Sequence, residues 1–446
     1  MSQRNRDPGQ FIISRRNMLR GTAVAGGALA FGGLLSACGG SNTTRAVPTA
    51  AEGVGEHGWT VTDQFYTLNN AYFQGWSQGS EEAAAVFRIT RKQQVDEFNN
   101  EKVIAMYQAA PSQKVNAISS MLADPGISPE ILRMAQRENI FTVLGWNLAP
   151  WTTPFDIGDK FYTFVTPNNI VGAQTLAEKL FKKMGGAGEL IHITGVPGNS
   201  VDITRTVGVD AALKKFPNIN MVARQPGEFD RGSTTPVIES LLTAHPNVKG
   251  IFCQNDDSAV AVVNALNARG MTVPVTGIDA IPDFLKAMQS RPEVAFATWA
   301  HHGAWLGAAL MVKAYDALAG VKLSASERMM FSGGFIVDTD KAADAYQKLM
   351  YSGSQFPFDY AKMSKALHPD DWDPQNLMAP IEFESYFALQ RPKPAGYVIP
   401  EAYRQAYESG ELDRTAELYR SHYKSDPFAD VRKLCGDGGA ELSLWG

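Results

Sequence analysis

Short apolar runs alternate with amphipathic segments along the chain from about residue 59 onward. Runs such as FTVLG at 141–145 are rich in β-branched and aromatic residues, whereas segments such as TLAEKLFKKM at 175–184 space their apolar residues three and four apart. Glycine or proline follows several of these segments, as is typical of helix ends. Alternating strands and helices build parallel sheets covered by helices. At least nine such units exceed one sheet of ordinary size, so the pattern predicts an α/β fold with two lobes.

The first 37 residues are predicted to be an export signal rather than part of the fold. Arg15 and Arg16 precede the run GTAVAGGALAFGGLLSA, which is too short and too rich in glycine to span a membrane comfortably. The arrangement resembles a twin-arginine signal, and LSAC at its end resembles a lipoprotein cleavage box, so Cys38 is the predicted lipidated first residue. A short anchor helix with a chance cysteine is the alternative. Residues 38–57 are mostly small and polar, which predicts a linker.

Composition and charge narrow the class of protein. The chain has 446 residues, 44% of them hydrophobic, and a net charge of −5. Without the predicted signal, 36 basic and 45 acidic residues remain with no basic run, which argues against nucleic acid as a partner. Cys253 lies in the apolar run GIFC and is predicted to be a core thiol, with a disulfide to Cys435 as the alternative. Since no CxxC or HExxH spacing occurs, neither a metal nor another cofactor is predicted.

Polar and aromatic residues gather directly after the predicted strands, where open α/β sheets bind their ligands. The stretch LNNAYFQGW at 68–76 places two amides before three aromatic rings, and amide, carboxylate or imidazole groups follow several later strands. Amides and carboxylates hydrogen-bond to hydroxyl groups, while ring faces can cover the apolar face of a ring-shaped ligand. A turn followed by core aromatics is the alternative for this stretch. The pattern indicates a ligand that is both hydroxylated and partly apolar.

Six motifs occur in order within residues 59–340: LNNAYF, HITGVPGNS, RQPGEFDR, FCQNDDSAVAVVNAL, VTGIDAIPDF and ATWAHHGAWLGAAL. They resemble the motifs of periplasmic binding proteins that serve pentose and hexose importers, in particular the ribose-binding group. The resemblance implies two Rossmann-like lobes with parallel sheets, joined by three crossover segments, that close on a small ligand. It implies an N-terminal lobe from 58–165 with 302–335 and a C-terminal lobe from 166–301 with 336–350.

The resemblance also implies which residues contact the ligand. The polar ligand contacts of the family fall on Asn70, Asn255 and Asp279. The aromatic clamp of the family falls on Tyr72, Phe73 and Phe229. Arg205 matches an arginine that the family uses structurally, so its contact with ligand is an open alternative. With the positions where this chain departs from the family, the predicted ligand-binding residues are Asn70, Tyr72, Phe73, Trp146, Asn147, Arg205, Phe229, Asn255, Asp279 and His301.

The departures from the family pattern concern charge. Trp146 and Asn147 stand where the family has an Asp-Arg pair, Ile203 replaces an arginine, and His301 replaces a glutamine. Charged hydrogen bonds are stronger than neutral ones, so losing them weakens the grip on a dense array of hydroxyls. An indole instead favours a broad apolar face. The expected ligand is therefore a neutral sugar, polyol or cyclitol rather than plain ribose.

The predicted function is that of an exported, lipid-anchored solute-binding protein of an ABC importer. The implied partners are a permease with its ATPase subunits, the chain acts as a monomer, and it meets the membrane only through the lipid anchor. An enzyme is not expected, because no candidate nucleophile lies in a GxSxG-type turn and no phosphate-cradling glycine motif occurs. The alternative is a ligand-sensing protein that feeds a receptor and binds a sugar-like signal, a nucleoside or a cation.

The last hundred residues match no motif of the family. Residues 351–446 contain segments with a helical pattern, separated by segments rich in proline and aromatic residues, such as HPDDWDPQNLMAP. So many aromatic residues argue against disorder. A C-terminal extension of helices and irregular segments is predicted, packed mainly on the C-terminal lobe.

Overall fold

The computed structural model of the chain describes residues 45–440. The predicted signal at 1–37 and the predicted lipidation site Cys38 therefore lie outside the described residues. From residue 60 onward, strands and helices alternate as the sequence pattern predicts.

The first part of the chain forms strands whose apolar residues are buried on both faces, as expected for the centre of a parallel sheet. β2 is the exception because it lies at the edge of its sheet and is largely exposed. The elements are β1 (Thr60–Phe65), α1 (Ala71–Val86), β2 (Thr90–Val95), α2 (Asn100–Ala109), β3 (Ala117–Met121), α3 (Ser128–Arg137), β4 (Phe141–Gly145), α4 (Pro154–Ile157) and β5 (Phe161–Pro167).

The second part repeats the same strand-helix alternation. Asparagine or aspartate caps the N-termini of four of its helices, which satisfies backbone N–H groups that have no partner within the helix. The elements are α5 (Asn169–Lys183), β6 (Gly188–Thr194), α6 (Ser200–Lys215), β7 (Ile219–Pro226), α7 (Arg231–Ala244), β8 (Gly250–Cys253), α8 (Asp256–Ala268), β9 (Val275–Ile278), α9 (Pro282–Ser290) and β10 (Ala295–Ala300).

The remaining part returns to both sheets and then continues as the C-terminal extension. Its first helix is buried nearly all round, because it packs between the first sheet and the extension. The elements are α10 (Gly303–Leu318), β11 (Met329–Ser332), β12 (Phe335–Val337), α11 (Asp340–Gln347), α12 (Tyr360–Met363), β13 (Met378–Pro380), α13 (Phe383–Ala388), α14 (Glu401–Glu408), α15 (Glu411–His422) and α16 (Ala429–Leu434).

The strands form two sheets, each the centre of one lobe. The first sheet has seven strands in the order β13-β11-β5-β4-β3-β1-β2, and the second has six in the order β12-β10-β9-β8-β6-β7. Neighbours are parallel except for the pairs β11–β13 and β10–β12. The chain crosses between the sheets after β5, after β10 and after β11, and it crosses once more after β12, because β13 lies in the first sheet. The predicted two Rossmann-like lobes and their three crossover segments are confirmed, and the C-terminal extension adds a fourth crossing that was not predicted.

We expected the C-terminal extension to pack mainly on the second lobe, but it does not. β13 adds an antiparallel strand to the first sheet, with Met330 opposite Pro380 and Ser332 opposite Met378. α15 also packs on the first lobe, whereas α16 contacts α11 beside the second sheet. The expectation was wrong because it assumed that the extension packs on the lobe from which the chain enters it. β11 would otherwise be a sheet edge, and its unpaired backbone groups recruit β13.

Residues 45–57 of the predicted linker lie against the protein. Ala46 N donates to Ser354 O at 2.9 Å, and Ala51 N donates to Val86 O at 3.0 Å. The Arg45 guanidinium lies 3.7 Å from the centre of the Phe356 ring. Within the part that the structure describes, the polar composition therefore corresponds to a packed segment rather than a loose tether.

Both described cysteines are free thiols. Cys253 is buried in the core, and Cys435 is half-buried in the extension. Between residues 45 and 440, no group of three or more His, Cys, Asp or Glu side chains is arranged to hold a metal ion. In the same range, no helix combines the length and apolarity needed to cross a bilayer.

Candidate ligand-binding cleft

A chain of hydrogen bonds joins the two lobes at the carboxyl ends of their strands. His301 follows β10, at the crossover to α10, and its Nδ1 lies 3.1 Å from the Tyr72 hydroxyl of α1. Its Nε2 lies 3.0 Å from Asp279 Oδ1, directly after β9, and 3.2 Å from Arg205 Nη2 of α6. The structure thus brings together four of the predicted site residues, from four separate segments of the chain. We call Arg205, Asp279, His301 and Tyr72 the cleft cluster.

The geometry of the cleft cluster assigns its protons. Arginine only donates hydrogen bonds, so the His301 Nε2 that faces it accepts, and the ring proton lies on Nδ1, pointing to the Tyr72 oxygen. Asp279 Oδ1 faces the same nitrogen, whose one lone pair is shared with Arg205, so this contact is at most a shared hydrogen bond and only when Asp279 carries a proton. In this arrangement Asp279 is a neutral acid that donates.

Burial accounts for these protonation states. The side chains of Arg205, His301 and Asp279 are 1%, 0% and 8% exposed. Burial raises the pKa of Asp279 to about 8, and Arg205, whose nearest nitrogen is 3.9 Å away, offsets only part of this effect. Burial, helped by the nearby arginine, lowers the pKa of His301 well below its usual value. At neutral pH the cleft cluster therefore holds one fixed cation, a neutral histidine and a largely protonated acid.

Aromatic rings enclose the cleft cluster. The ring centre of Tyr72 lies 5.3 Å from that of Trp146 and 5.0 Å from that of His301. The guanidinium carbon of Arg205 lies 5.3 Å from the Trp146 ring centre and 5.9 Å from the Phe229 ring centre. These rings come from both lobes, as a clamp requires.

The other predicted rings take different places. Phe73 is buried and packs edge-on against Tyr66, with ring centres 4.8 Å apart. Phe229 is only half-buried and lies so close to the backbone that a Cβ at Gly195 would overlap its ring. Phe73 therefore belongs to the core beside the cleft, while Phe229 keeps an exposed part.

The three predicted amides make hydrogen bonds within the protein. Asn70 Oδ1 accepts from Phe73 N at 3.0 Å and caps α1, and Asn255 Oδ1 accepts from Ser258 N at 3.1 Å and caps α8. Asn255 Nδ2 also donates to Phe229 O at 2.9 Å. Asn147 is fully buried, with Nδ2 donating to Leu122 O at 2.7 Å. These contacts are structural, and ligand contacts by the amides stay predictions.

Sequence reasoning missed three residues at the cleft. Tyr66, directly after β1, is buried, and its pKa is raised by burial and by the negative charge of Asp279. Asn199 Nδ2 donates to Ala123 O across the lobes at 2.8 Å, and Ser200 Oγ donates to Leu148 O at 3.3 Å. Their positions in the sequence could have revealed these residues. Tyr66 directly follows β1, and Asn199 caps α6, the helix after β6.

The cross-lobe bonds describe a closed arrangement. The two lobes touch directly through the Asn199, Ser200 and Tyr72 contacts, and the side chains of the cleft cluster are buried between them. A solute as large as a sugar enters this site only when the lobes separate or the rings move. Hinge closure around a ligand is a common transition in two-lobed proteins.

The family model described as "Periplasmic binding protein domain" matches residues 65–322. The chain belongs to this family, which confirms the resemblance found in the sequence. It is 28% identical over 231 residues to the ribose import binding protein of Salmonella typhimurium, covering 52% of this chain and 75% of that relative. It is 34% identical over 190 residues to the D-allose-binding periplasmic protein of Escherichia coli, covering 42% of this chain and 56% of that relative.

Solved structures share the fold. A twin-arginine translocation pathway signal protein from Burkholderia phytofirmans superposes with a TM-score of 0.63 at 24% identity, covering 67% of this chain and 95% of that one. The periplasmic binding component of the arabinose ABC transporter from Shewanella sp. ANA-3, bound to L-arabinofuranose, gives 0.60 at 22% identity, covering 66% and 96%. Both superpositions leave about a third of this chain unmatched.

Proposed function

We propose that this chain is the solute-binding protein of an ABC importer and binds a small neutral sugar, polyol or cyclitol between its lobes. The observation that carries the proposal is the cleft cluster, which links both lobes and is enclosed by rings from both. Family membership supports the same function, and the relatives named for ribose and D-allose support the class of ligand.

The charge of the cleft cluster favours a neutral ligand over a cation. Arg205 lies beside the faces of Trp146 and Phe229, so a cationic ligand that stacked on these rings would meet a resident positive charge. Asp279, protonated near neutral pH, provides a donor rather than a counter-charge. A hydroxyl group both donates and accepts, so it can pair with Asp279, Arg205 and Tyr72 alike.

Binding requires the lobes to open and to close again on the ligand. Opening breaks the cross-lobe bonds of Asn199 and Tyr72, and the ligand replaces them with its own contacts to both lobes. Groups on both lobes favour the closed state more strongly when a ligand bridges them, so binding shifts the population toward closure. The permease would recognise the closed lobes, and the chain binds its solute without chemical change.

A thermal-shift screen with pentoses, hexoses, pentitols, cyclitols and nucleosides tests the site. We expect a neutral polyhydroxylated compound to raise the melting temperature of the wild type and of Asp210→Ala, a surface control on α6. Asp279→Ala should abolish the shift. An equal shift in Asp279→Ala and in the control would show that the ligand binds elsewhere. A shift given only by a cation, and reduced by salt, would contradict the ligand class.

Export and anchoring complete the proposal. The twin arginines at 15 and 16 direct the chain through the twin-arginine route, and lipidated Cys38 holds a monomer at the outer face of the cell membrane, in the periplasm of a two-membrane cell. Cell fractionation tests both steps. We expect Cys38→Ser to move the exported protein from the membrane to the soluble fraction. Lysine at both arginine positions should retain the unprocessed protein in the cytoplasm. Unchanged fractionation of both variants would contradict this route.

A further inference from the structure

The end of the C-terminal extension is attached to the first lobe by α15. Thr415 Oγ1 lies 2.7 Å from Ser326 Oγ, and the Tyr419 hydroxyl donates to Glu327 Oε1 at 3.1 Å. Ser326 and Glu327 directly precede β11 of the first sheet. All four side chains are buried. α15 is therefore a fixed part of the first lobe.

The chain then reaches the crossover segments. The Phe428 ring stacks on His302, with centres 3.7 Å apart and an angle of 8° between the planes. His302 stands between β10 and α10 with a left-handed φ of 56°, and its Nδ1 lies 3.0 Å from the Tyr346 hydroxyl of α11. Phe428 is also 5.8 Å from Phe335, at the third crossover. The ring thus packs on two of the four connections about which the lobes would rotate.

A few residues later the chain is attached to the second lobe. The Asp338 carboxylate, 3% exposed, accepts from Gly436 N at 2.7 Å and from Gly438 N at 3.1 Å. It also pairs with Lys179 Nζ of α5 at 2.7 Å. Thr339 Oγ1 donates to Leu434 O at 2.7 Å. Asp338 and Thr339 directly follow β12 of the second sheet, so these bonds hold residues 434–438 to that lobe.

We propose that residues 423–439, which we call the C-terminal tether, form a fifth connection between the lobes and restrain their separation. Only residues 423–428 join the α15 attachment to α16, and Phe428 holds this short link at the crossovers. The tether therefore keeps the ligand-free protein near the closed arrangement. The proposal concerns the lobes alone and holds whether or not the ligand is a sugar.

The tether has a consequence for affinity. The ligand-bound state has closed lobes, so the free energy needed to bring separated lobes together is subtracted from the affinity. A tether that limits opening lowers this penalty. The limited opening also slows the entry of the ligand. The tether therefore raises the affinity and lowers the association rate constant.

Distance measurements between two spin labels test the tether without any ligand. β2 and β7 are the strands farthest from the crossovers, so the helices that follow them report opening most strongly. Labels are placed at Glu101→Cys on α2 and Thr235→Cys on α7, both exposed, in the full chain carrying Cys38→Ser and Cys435→Ser. We expect one narrow distance distribution for this protein. A chain ending at Tyr423 should also show a second, longer distance from molecules with separated lobes. We expect the population of separated lobes to rise about tenfold, which corresponds to a change of about 1.4 kcal/mol in the free energy of opening.

Point variants provide the controls. Phe428→Ala and Asp338→Ala should give the longer population in the full-length chain, and they decide the question if the shortened chain does not fold. Arg420→Ala is the matched control, because Arg420 is exposed on α15 and its ion pair among the described residues is with Glu417 of the same helix. Its distribution should equal that of the labelled full-length protein. Identical distributions in Phe428→Ala, Asp338→Ala and Arg420→Ala would overturn the proposal, as would a broad distribution in the full chain.

Discussion

Two of the buried clusters of charged side chains in the described part of the chain behave in opposite ways. In the cleft, burial outweighs Arg205 and raises the pKa of Asp279. Under the extension, burial also acts on Glu327, but Lys365 forms a direct ion pair with it and the pKa falls below its usual value. Arg205 stays 3.9 Å from Asp279, whereas Glu327 has a direct ion pair with Lys365 and also accepts hydrogen bonds from Ser324 N and the Tyr419 hydroxyl. In these two clusters, the acid with several close partners stays ionised, and the acid with one distant cation titrates near neutral pH.

The largest effect is expected from breaking the ion pair between Glu327 and Lys365. Lys365→Ala leaves the Glu327 carboxylate buried without its partner cation, so the free energy of unfolding should fall by about 3–5 kcal/mol. Urea unfolding at pH 7 measures this loss. Lys348→Ala is the control, because its pair with Asp344 is exposed and should contribute under about 1 kcal/mol. Equal losses in the two variants would remove the distinction between the two kinds of pair.

The acid with one distant cation should appear as a pH dependence. Asp279 in the folded state keeps a proton that the unfolded chain has released, so stability falls as pH rises toward about 8. The lowered pKa of His301 acts in the opposite direction only below about pH 6.5, so the range from pH 6.5 to 8 separates the acid from this histidine. Burial also raises the pKa of Asp256, so the comparison of variants, and not the pH range alone, assigns the effect to Asp279. One group contributes at most about 1.4 kcal/mol per pH unit.

Asp279→Asn should remove this slope, a difference of up to about 2 kcal/mol between pH 6.5 and 8. Urea unfolding of the wild type, Asp279→Asn and the surface control Asp210→Asn at both pH values makes the comparison. The control should keep the slope of the wild type. If Asp279→Asn kept it as well, the proton would reside elsewhere in the cleft.

A smaller effect is expected for Asn255, which separates capping from ligand binding. Asn255→Ala removes the α8 cap and the bond to Phe229 O, so the free energy of unfolding should fall by about 1–2 kcal/mol. Asn255→Asp keeps the capping oxygen but loses the donor to Phe229 O, so it should recover only part of this stability at pH 7. If Asn255→Asp were stable yet no longer gave a thermal shift with the ligand, the amide would have both roles. Full stability of Asn255→Ala would refute the capping role.

The smallest effect concerns the bond across the lobes. Tyr72→Phe removes one hydroxyl that faces His301, and the free energy of unfolding should change by about 0.5–1.5 kcal/mol. Chemical denaturation measures this change, and Tyr397→Phe is a control because its hydroxyl bonds to Asp156 away from the cleft. A loss well above that range would mean that the hydroxyl holds more than one partner.

The fold of residues 59–340 was predictable because most of its strands and helices show their own periodicity. The candidate site was predictable in position, since parallel strands carry their carboxyl ends to one edge, and Asp279, His301 and Arg205 do meet there. The role of the amides was not predictable. An asparagine before a helix offers the same oxygen to a backbone N–H group as to a ligand, so the sequence cannot separate the two uses for Asn70 and Asn255.

The arrangement of the extension could not be predicted for a different reason. β13 has three residues, too few for a periodic pattern, and it is a strand only because β11 is beside it. The bond between Asp338 and Gly436 joins residues 98 positions apart, with no local sequence signal on either side. Only packing in three dimensions determines such contacts.

The position of β13 also determines where the chain can be cut. The family match ends at residue 322, before β11, β12 and β13, so a fragment designed on that boundary would lose both sheet borders. A fragment ending between β12 and β13 would instead display the bare flank of β11, which invites stacking of one molecule on the next. Workable expression boundaries therefore lie beyond Pro380, and poor yields of shorter pieces would say nothing about their ability to bind.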